Sequence, residues 1–395
     1  MLTLRNASYW DGDSDGVRPA DIVCADGEIQ AVHSPGAAPT TTGDDREVDL
    51  AGRYVLPGLI DAHAHLVWSS GQDPADAVEA DGEQLTVLRA AAHAREHLAA
   101  GVTTIVDLGS NWDVAIAVAR AVDSGVLEGP SIVAAGQTVI MTGGHDPFWG
   151  VHCDGVDAVV RAVRGQAYRG AKIIKTAATG GVYGRPEGED VHDGELTYEE
   201  LAALAGEAHR RGLKVAAHAL GTEGIRDAVR AGIDIIEHGV FLDDALVEDM
   251  VQRGTYLCPT VAIYRTIAAA AQTGTAPAYA ARKAERVVDA HRTSVAMALA
   301  AGIPLVAGTD AGSPGMPHGN LVAELDALVD CGVPVPTALR AATSTAADAL
   351  GRSDLGRIRP GARADLVVTD ADPFDKVGAL RDPAMVIRSG QLIRR

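Results

Sequence analysis

The sequence predicts an α/β chain: a (β/α)8 TIM barrel with a small β-sandwich domain built from both chain ends. Three observations carry this. Between residues 50 and 350, short apolar segments alternate with alanine-rich amphipathic ones. Residues 1–55 and 356–395 instead show short strands broken by turns. Five of the apolar segments end in His, Lys or Asp.

The strand segments, in order, are "YVLPGLIDAH", "GVTTIVDLG", "PSIVAAG", "AKIIKTAA", "LKVAAHA", "IDIIEHG", "TYLCPT" and "IPLVAGTD". Helices are expected between them over 83–100, 112–124, 157–168, 198–211, 222–231, 243–252 and 282–300. Each helix runs into a turn with glycine, such as "RRG", "RAG" or "QRG". Glycine tolerates the left-handed conformation at a helix C-terminus. Apolar strands alternating with helices argue for a parallel sheet buried on both faces. Eight such units argue for a barrel. An open doubly wound sheet is the alternative, but no GxGxxG turn supports it. The barrel is expected over 56–355, and 1–55 with 356–395 as one composite sandwich domain. The 35–45 loop, "PGAAPTTTGDD", is the expected flexible segment.

The chain has 395 residues, 47% of them hydrophobic, which is ample for a large core. Its formal charge of −19 lacks the basic footprint of a nucleic-acid binder and favours a well-solvated protein. Cys24, Cys153, Cys258 and Cys331 show no CxxC spacing, as in a reduced cytoplasmic enzyme. The opening "MLTLRNASYWDG" has no signal-peptide pattern, and no apolar run reaches membrane-spanning length. A small-molecule substrate is therefore expected as partner, without nucleic acid or membrane. A homo-oligomer is expected because oligomers are common on this fold.

The first strand ends unusually, in "GLIDAHAHL". Side chains at i and i+2 share a face, so Asp61, His63 and His65 would point one way. Imidazoles side by side have reason to converge on a cation. Alone, His-x-His also fits an accidental pair on a loop. In a (β/α)8 barrel, however, the active site lies at the C-terminal ends of the strands. There the fourth strand carries Lys175, the fifth His218, the sixth His238 and the eighth Asp310. Such groups are costly to bury unless they are paired or bind metal.

With these residues in place, the chain resembles the amidohydrolase superfamily of metal-dependent hydrolases. His-x-His on strand one, Lys on four, His on five and six and Asp on eight is that superfamily's binuclear pattern. The stretch "ADALGRSDLGRIRPGARADLVVTDADP" resembles its return to the sandwich. "AKIIKTAATGGV", "TGGH", "IEHG" and "AGTDAG" resemble its imidazolonepropionase-like and Xaa-Pro/Xaa-Arg dipeptidase branch. The resemblance implies two divalent ions, with zinc expected. His63, His65 and Asp310 would hold one, His218 and His238 the other. Lys175, carboxylated by CO2, would bridge them, because an unmodified ammonium has no lone pair to give. It implies cleavage of a C–N bond of a dipeptide or N-acyl amino acid by metal-activated hydroxide, with Asp310 as general acid/base. No GxSxG nucleophile elbow is present. His145, in "TGGH", is the residue the resemblance turns toward the substrate, as a second catalytic group.

Other residues have weaker cases. Tyr183, Tyr264 and His318 are candidates for the substrate pocket. Arg185 and His192 share the long loop "TGGVYGRPEGEDVHDGE" with Tyr183, where barrels set specificity. Asp61 fits either a brace for a ligand imidazole or a strand-end cap. Glu237 alternates away from His238 and reads as a salt-bridge partner in the barrel coat. Arg226 reads as helix surface. His33, His93, His97, His152, His209 and His291 fall on outer elements or loops and are assigned no function. One rival is a mononuclear deaminase or cyclic-amide (imidazolone-type) hydrolase, for which Lys175 would be superfluous. The other is a non-catalytic scaffold, which should have lost ligands. An ester or carbamate would use the same machinery, as would a phosphotriester or lactone. Mn, Fe or Co would suit the same ligands.

Overall fold

The structure is a computed structural model that describes residues 1–40, 45–185 and 188–394, the side chains of 271–273 excepted. Part of the 35–45 loop thus lies outside the described residues. Both chain ends meet in one eight-stranded sheet. Its order is Gln391–Arg394, Met385–Arg388, Leu366–Thr369, Tyr54–Pro57, Leu2–Tyr9, Arg18–Ala25, Glu28–His33, with Arg46–Asp49 also pairing with Leu2–Tyr9. This sheet has its own apolar core, including Leu4, Ile22, Ile29, Val55, Leu366 and Ile387.

The first predicted strand is two strands. Tyr54–Pro57 belongs to the end sheet, and Leu59–Ala64 opens the parallel part of the molecule. Gly58 makes the junction. A Cβ there would lie 2.2 Å from Thr103 Oγ1, so a side chain would collide with the neighbouring strand. Leu59–Ala64, Val102–Asp107 and Ser131–Ala134 form one parallel sheet. Ile173–Ala177, Lys214–Ala219, Ile235–His238 and Tyr256–Cys258 form another. Two short strands after Ala134, Val139–Ile140 and Val151–His152, extend the second sheet and were not predicted.

The eighth predicted strand, 303–310, is not regular. It nevertheless runs between its expected neighbours. Ala62 N–H donates to Ala307 O, Val306 N–H to Leu257 O, and Asp310 N–H to His63 O. Its regularity fails because Asp310 is left-handed (φ 59°). Gly308 also passes so close to its neighbour that a Cβ would meet His63 Cβ at 2.7 Å. On the far side, Lys172 N–H donates to Ala134 O and links the two sheets.

The helices follow the predicted periodicity closely at Val156–Arg169, Thr222–Ala231 and Asp244–Arg253. These three end on left-handed glycines, Gly170, Gly232 and Gly254. The first helix is longer than predicted, Pro74–Ala99, and is interrupted at Gly82 (φ 69°). The helix Val261–Thr273 was not anticipated. Its first turn, Val261–Tyr264, is buried all round and offers no amphipathic signal.

Candidate active site

Pleated strands bring their terminal side chains to one mouth of the parallel sheets. A cavity there is lined by His63, His65, Lys175, His218, His238 and Asp310. His63 Nε2 lies 3.3 Å from His65 Nε2. Asp310 Oδ1 lies 3.2 Å from His65 Nε2 and 3.7 Å from His63 Nε2. One ligand atom from each of His63, His238 and Asp310 falls within 4.8 Å of the others. The His218 and His238 rings are 4.6 Å apart.

The hydrogen bonds behind these rings fix their tautomers. His63 Nδ1 faces Glu237 Oε2 at 2.7 Å and His65 Nδ1 faces Gly109 O at 3.2 Å. Both partners only accept, so the ring protons sit on Nδ1 and both Nε2 atoms keep lone pairs. His238 Nδ1 donates to Thr260 Oγ1 at 2.7 Å, because that hydroxyl gives its own proton to Pro259 O. His218 Nε2 faces Gly180 O at 3.3 Å, which leaves its Nδ1 lone pair free. Such partners orient metal-binding histidines and strengthen them as ligands.

Charge in the cluster is uneven. Burial pushes the Asp310 carboxyl up, but His63, His65 and the Ser313 hydroxyl outweigh it and hold it well below the usual carboxylate range. Burial, reinforced by neighbouring positive groups, pushes His218 and His238 well below the ordinary imidazole value. Lys175 Nζ is buried and has no hydrogen-bond partner among the described residues. Lone pairs converging beside one carboxylate and one partnerless amine fit a cation-binding site. Lys175 fits it only once carboxylation has made it an oxygen ligand.

Glu237 corrects the sequence reading. Strand alternation turned it away from His238, toward the barrel coat. It is instead fully buried and braces His63. His238 has a left-handed backbone (φ 72°), which breaks the period of two and lets both side chains reach the site. Asp61 braces backbone rather than an imidazole. Its carboxylate accepts from His63 N–H, Thr309 N–H and the Thr309 hydroxyl.

His145 lines the cavity and stacks on His218 at 3.9 Å. Its Nδ1 lies 2.6 Å from Glu189 Oε1 and its Nε2 3.3 Å from Asp146 Oδ1. Burial alone would lower its pKa, but Asp146 and Glu189 reverse this and raise it to about 9. Glu189 also accepts from Gly181 N–H and Arg185 N–H, tying His145 to the loop after Lys175. Tyr183 and Tyr264 line the cavity. The Tyr183 hydroxyl donates to Asp73 at 2.5 Å, and the Tyr264 ring packs 5.2 Å from His238.

His318 does not line the cavity, so the structure does not place it among substrate contacts. Its Nε2 donates to Trp68 O, its Nδ1 meets His97 Nε2 at 3.1 Å, and its ring stacks on His93. It is committed behind the Trp68 wall. His97 and His291, assigned to outer elements, are buried. Each lies on the inward face of an alanine-rich helix, and His291 Nε2 donates to His238 O. Arg226 is a surface ion pair with Asp243, and His192 packs on Phe241 outside the cavity lining. Trp68, Asp146, Thr260 and Ser313 escaped the sequence reading: Thr260 ends the seventh predicted strand but is neither ionisable nor a usual metal ligand, and the others stand at no strand end.

Comparison with known proteins identifies the class. Residues 54–393 match the amidohydrolase family, and the chain belongs to it. It is a hydrolase acting on carbon–nitrogen bonds, with the α/β TIM-barrel fold of its structural neighbours. It is 28% identical to the ochratoxinase of Aspergillus niger, over 95% of this chain and 82% of that protein. A solved Xaa-Pro dipeptidase with methionine bound in its active site superposes with a TM-score of 0.92 at 31% identity, covering all of both chains. The imidazolonepropionase of Salinispora tropica is 27% identical over 93% of this chain and 90% of its own length. Members of this superfamily generally use divalent metal ions. Among the described residues, no helix is long and apolar enough to cross a membrane.

Proposed function

We propose that the protein is a binuclear metal-dependent amidohydrolase that cleaves the amide or peptide bond of a dipeptide or an N-acyl amino acid. One observation carries the reading: four imidazoles of fixed tautomer, Asp310 and the partnerless Lys175 share one cavity. His63, His65 and Asp310 would hold one ion, His218 and His238 a second, and carboxylated Lys175 would join them. Zinc suits these ligands. When bound, such ions lower the pKa of water to about 7 and polarise the scissile carbonyl.

The chain's own residues supply the rest. Asp310 Oδ1 accepts from the Ser313 hydroxyl, so Oδ2 is the oxygen left to take up the nucleophile's proton and return it to the leaving nitrogen. His145, kept protonated by Glu189 and Asp146, would turn its Nε2–H from the longer Asp146 contact to a substrate oxygen, while Nδ1 stays on Glu189. Trp68, Val182, Tyr183, Tyr264 and Ile267 enclose the reacting bond and exclude water. The likeness to a Xaa-Pro dipeptidase supports a dipeptide substrate. A mononuclear ring-amide hydrolase is the second reading, favoured by the imidazolonepropionase relative. It leaves Lys175 without a purpose.

The same reading takes residues 56–355 as a closed barrel, and 1–55 with 356–395 as a β-sandwich domain. Four buried free cysteines support a reducing cytoplasmic setting. The test is the number of ions per chain, measured by elemental mass spectrometry on protein purified without chelators. Two equivalents, falling toward one in Lys175→Ala, are expected. One equivalent, unmoved by that substitution, would sink the bridge and turn the substrate screen to ring amides.

A further inference from the structure

We infer that Glu324 is a positioning residue for His238 and for the cavity wall, acting through the first turn of the Val261–Thr273 helix. The inference rests on the binuclear reading above.

A helix leaves its first N–H groups without intrahelical partners, and the residue before it commonly caps them with its side chain. Thr260 precedes this helix and makes no such cap. Its hydroxyl is occupied elsewhere, accepting from His238 Nδ1 and donating to Pro259 O. The capping oxygens come from Glu324, on the helix Leu321–Asp330. Glu324 Oε1 accepts from Val261 N–H at 2.9 Å and Oε2 from Ala262 N–H at 2.8 Å. The side chain is fully buried and both oxygens are spent on this turn. Burial pushes the Glu324 pKa up to about 8, while the Ala262 and Val261 N–H groups pull it back toward the ionised form that a helix N-terminus favours.

The turn needs holding. Thr260 is β-branched and left-handed, with φ 53° and ψ 44°, a conformation such residues rarely adopt. Strain of this kind persists only where the surroundings over-determine it. On one side Thr260 is tied to His238 and Pro259. On the other, Glu324 fixes the two residues that follow. Tyr264 and Ile267, on the same helix, line the cavity. One buried carboxylate therefore sets both the hydroxyl that fixes the His238 tautomer and the wall facing the substrate. Fold maintenance alone would not need the cap to fall beside a ligand's hydrogen-bond partner.

The test is Glu324→Gln, which turns an –NH2 toward one of the two backbone N–H groups. Ion affinities are read by chelator competition on the holoenzyme, with KM and kcat measured alongside. The ion that His218 and His238 would hold is expected to bind about tenfold less tightly, the scale of losing a partner behind a metal ligand. The other ion should hold, and KM should rise. Thr260→Val, which leaves the cap in place, should reproduce the loss of ion affinity. It carries the test if Glu324→Gln fails to fold. Glu207→Gln is the control for a merely destabilised protein. Glu207 is nearly as buried but serves Arg164, Arg210 and Arg211 and does not line the cavity, so melting should fall with both ion affinities intact. If Glu324→Gln or Thr260→Val leaves ion affinity and KM unchanged while the wild type holds two ions, the inference falls and the binuclear reading stands. If the wild type holds one ion or none, the reading falls and takes the inference with it.

Discussion

The end sheet and the strand-end cluster both bury charge, but they treat it differently. In the end sheet, Asp21 is fully buried and accepts from Arg5 Nη1, Asn6 N–H and Gly36 N–H. Arg5 in turn donates to Ala38 O, Pro39 O and Glu47. In the cluster, Lys175 Nζ and Glu237 Oε1 are buried without a hydrogen-bond partner among the described residues. Buried polar groups are normally satisfied, and exceptions ask for an explanation. At Asp21 the buried charge arrives with its partners. At Lys175 and Glu237 an atom is left for something else to claim.

The largest test of that contrast is Asp310→Asn. It removes the acceptor for the nucleophile's proton while keeping the shape of the side chain. A fall in kcat of about 10²- to 10⁴-fold is expected, the range for losing a positioned acid/base. The melting temperature should hold or rise, since functional charges tend to be retained at a cost in stability. A variant that keeps its rate but loses its fold would reverse the assignment and put Asp310 with Asp21.

The strand ends made much of the site legible. Histidine, lysine and aspartate are conspicuous in apolar strands, and all five strand-end positions meet in one cavity. What escaped depends on backbone torsion and on distant partners. Glu237 was misread because the left-handed turn at His238 breaks the alternation, and sequence does not report φ. Glu324 and Thr260 escaped because each acts across separate elements, Glu324 on the turn at Val261 and Ala262 and Thr260 on His238. His97 and His291 were misread because alanine carries both faces of a helix, so a histidine in it looks the same turned in or out. The end strands were legible as short segments broken by turns. Their order in one sheet was not, because it is set by pairing between the two chain ends.

Two smaller tests sharpen the comparison from opposite sides. In metal-free protein, Lys175→Met replaces a buried, partnerless amine with an apolar chain of similar length. Stability to urea, measured with chelator present, should rise by about 1–3 kcal/mol, the order of the cost of an unsatisfied buried polar group. A loss would mean that Lys175 has a structural partner after all. Asp21→Asn should do the reverse, because an amide cannot satisfy three donors as a carboxylate does. Stability should fall by about 1–2 kcal/mol with kcat and ion content unchanged. A change in ion content would erase the line between the two regions.

The last test concerns His97, which lies behind the site and is sorted by neither region at first sight. Its Nε2 meets His318 Nδ1, while its Nδ1 has no hydrogen-bond partner among the described residues and lies 3.8 Å from Asp61 Oδ2. Burial, helped by His93, lowers its pKa from 6.5 to about 3. The depressed value fixes the sign. The unfolded chain takes up this proton near pH 6.5 and the folded one does not. His97 therefore contributes its full stability above that pH and loses it as pH falls toward 3. One proton gives a slope of about 1.4 kcal/mol per pH unit. His97→Asn should lower stability at pH 8, where a bond to His318 is lost, yet flatten the urea-midpoint profile between pH 6 and 4. If the profile flattens and both ions stay bound, His97 serves the fold like Asp21, although it sits within reach of the chemistry. If the ions are lost instead, the free Nδ1 marks it as part of the site, by the same criterion that separates Lys175 from the end sheet.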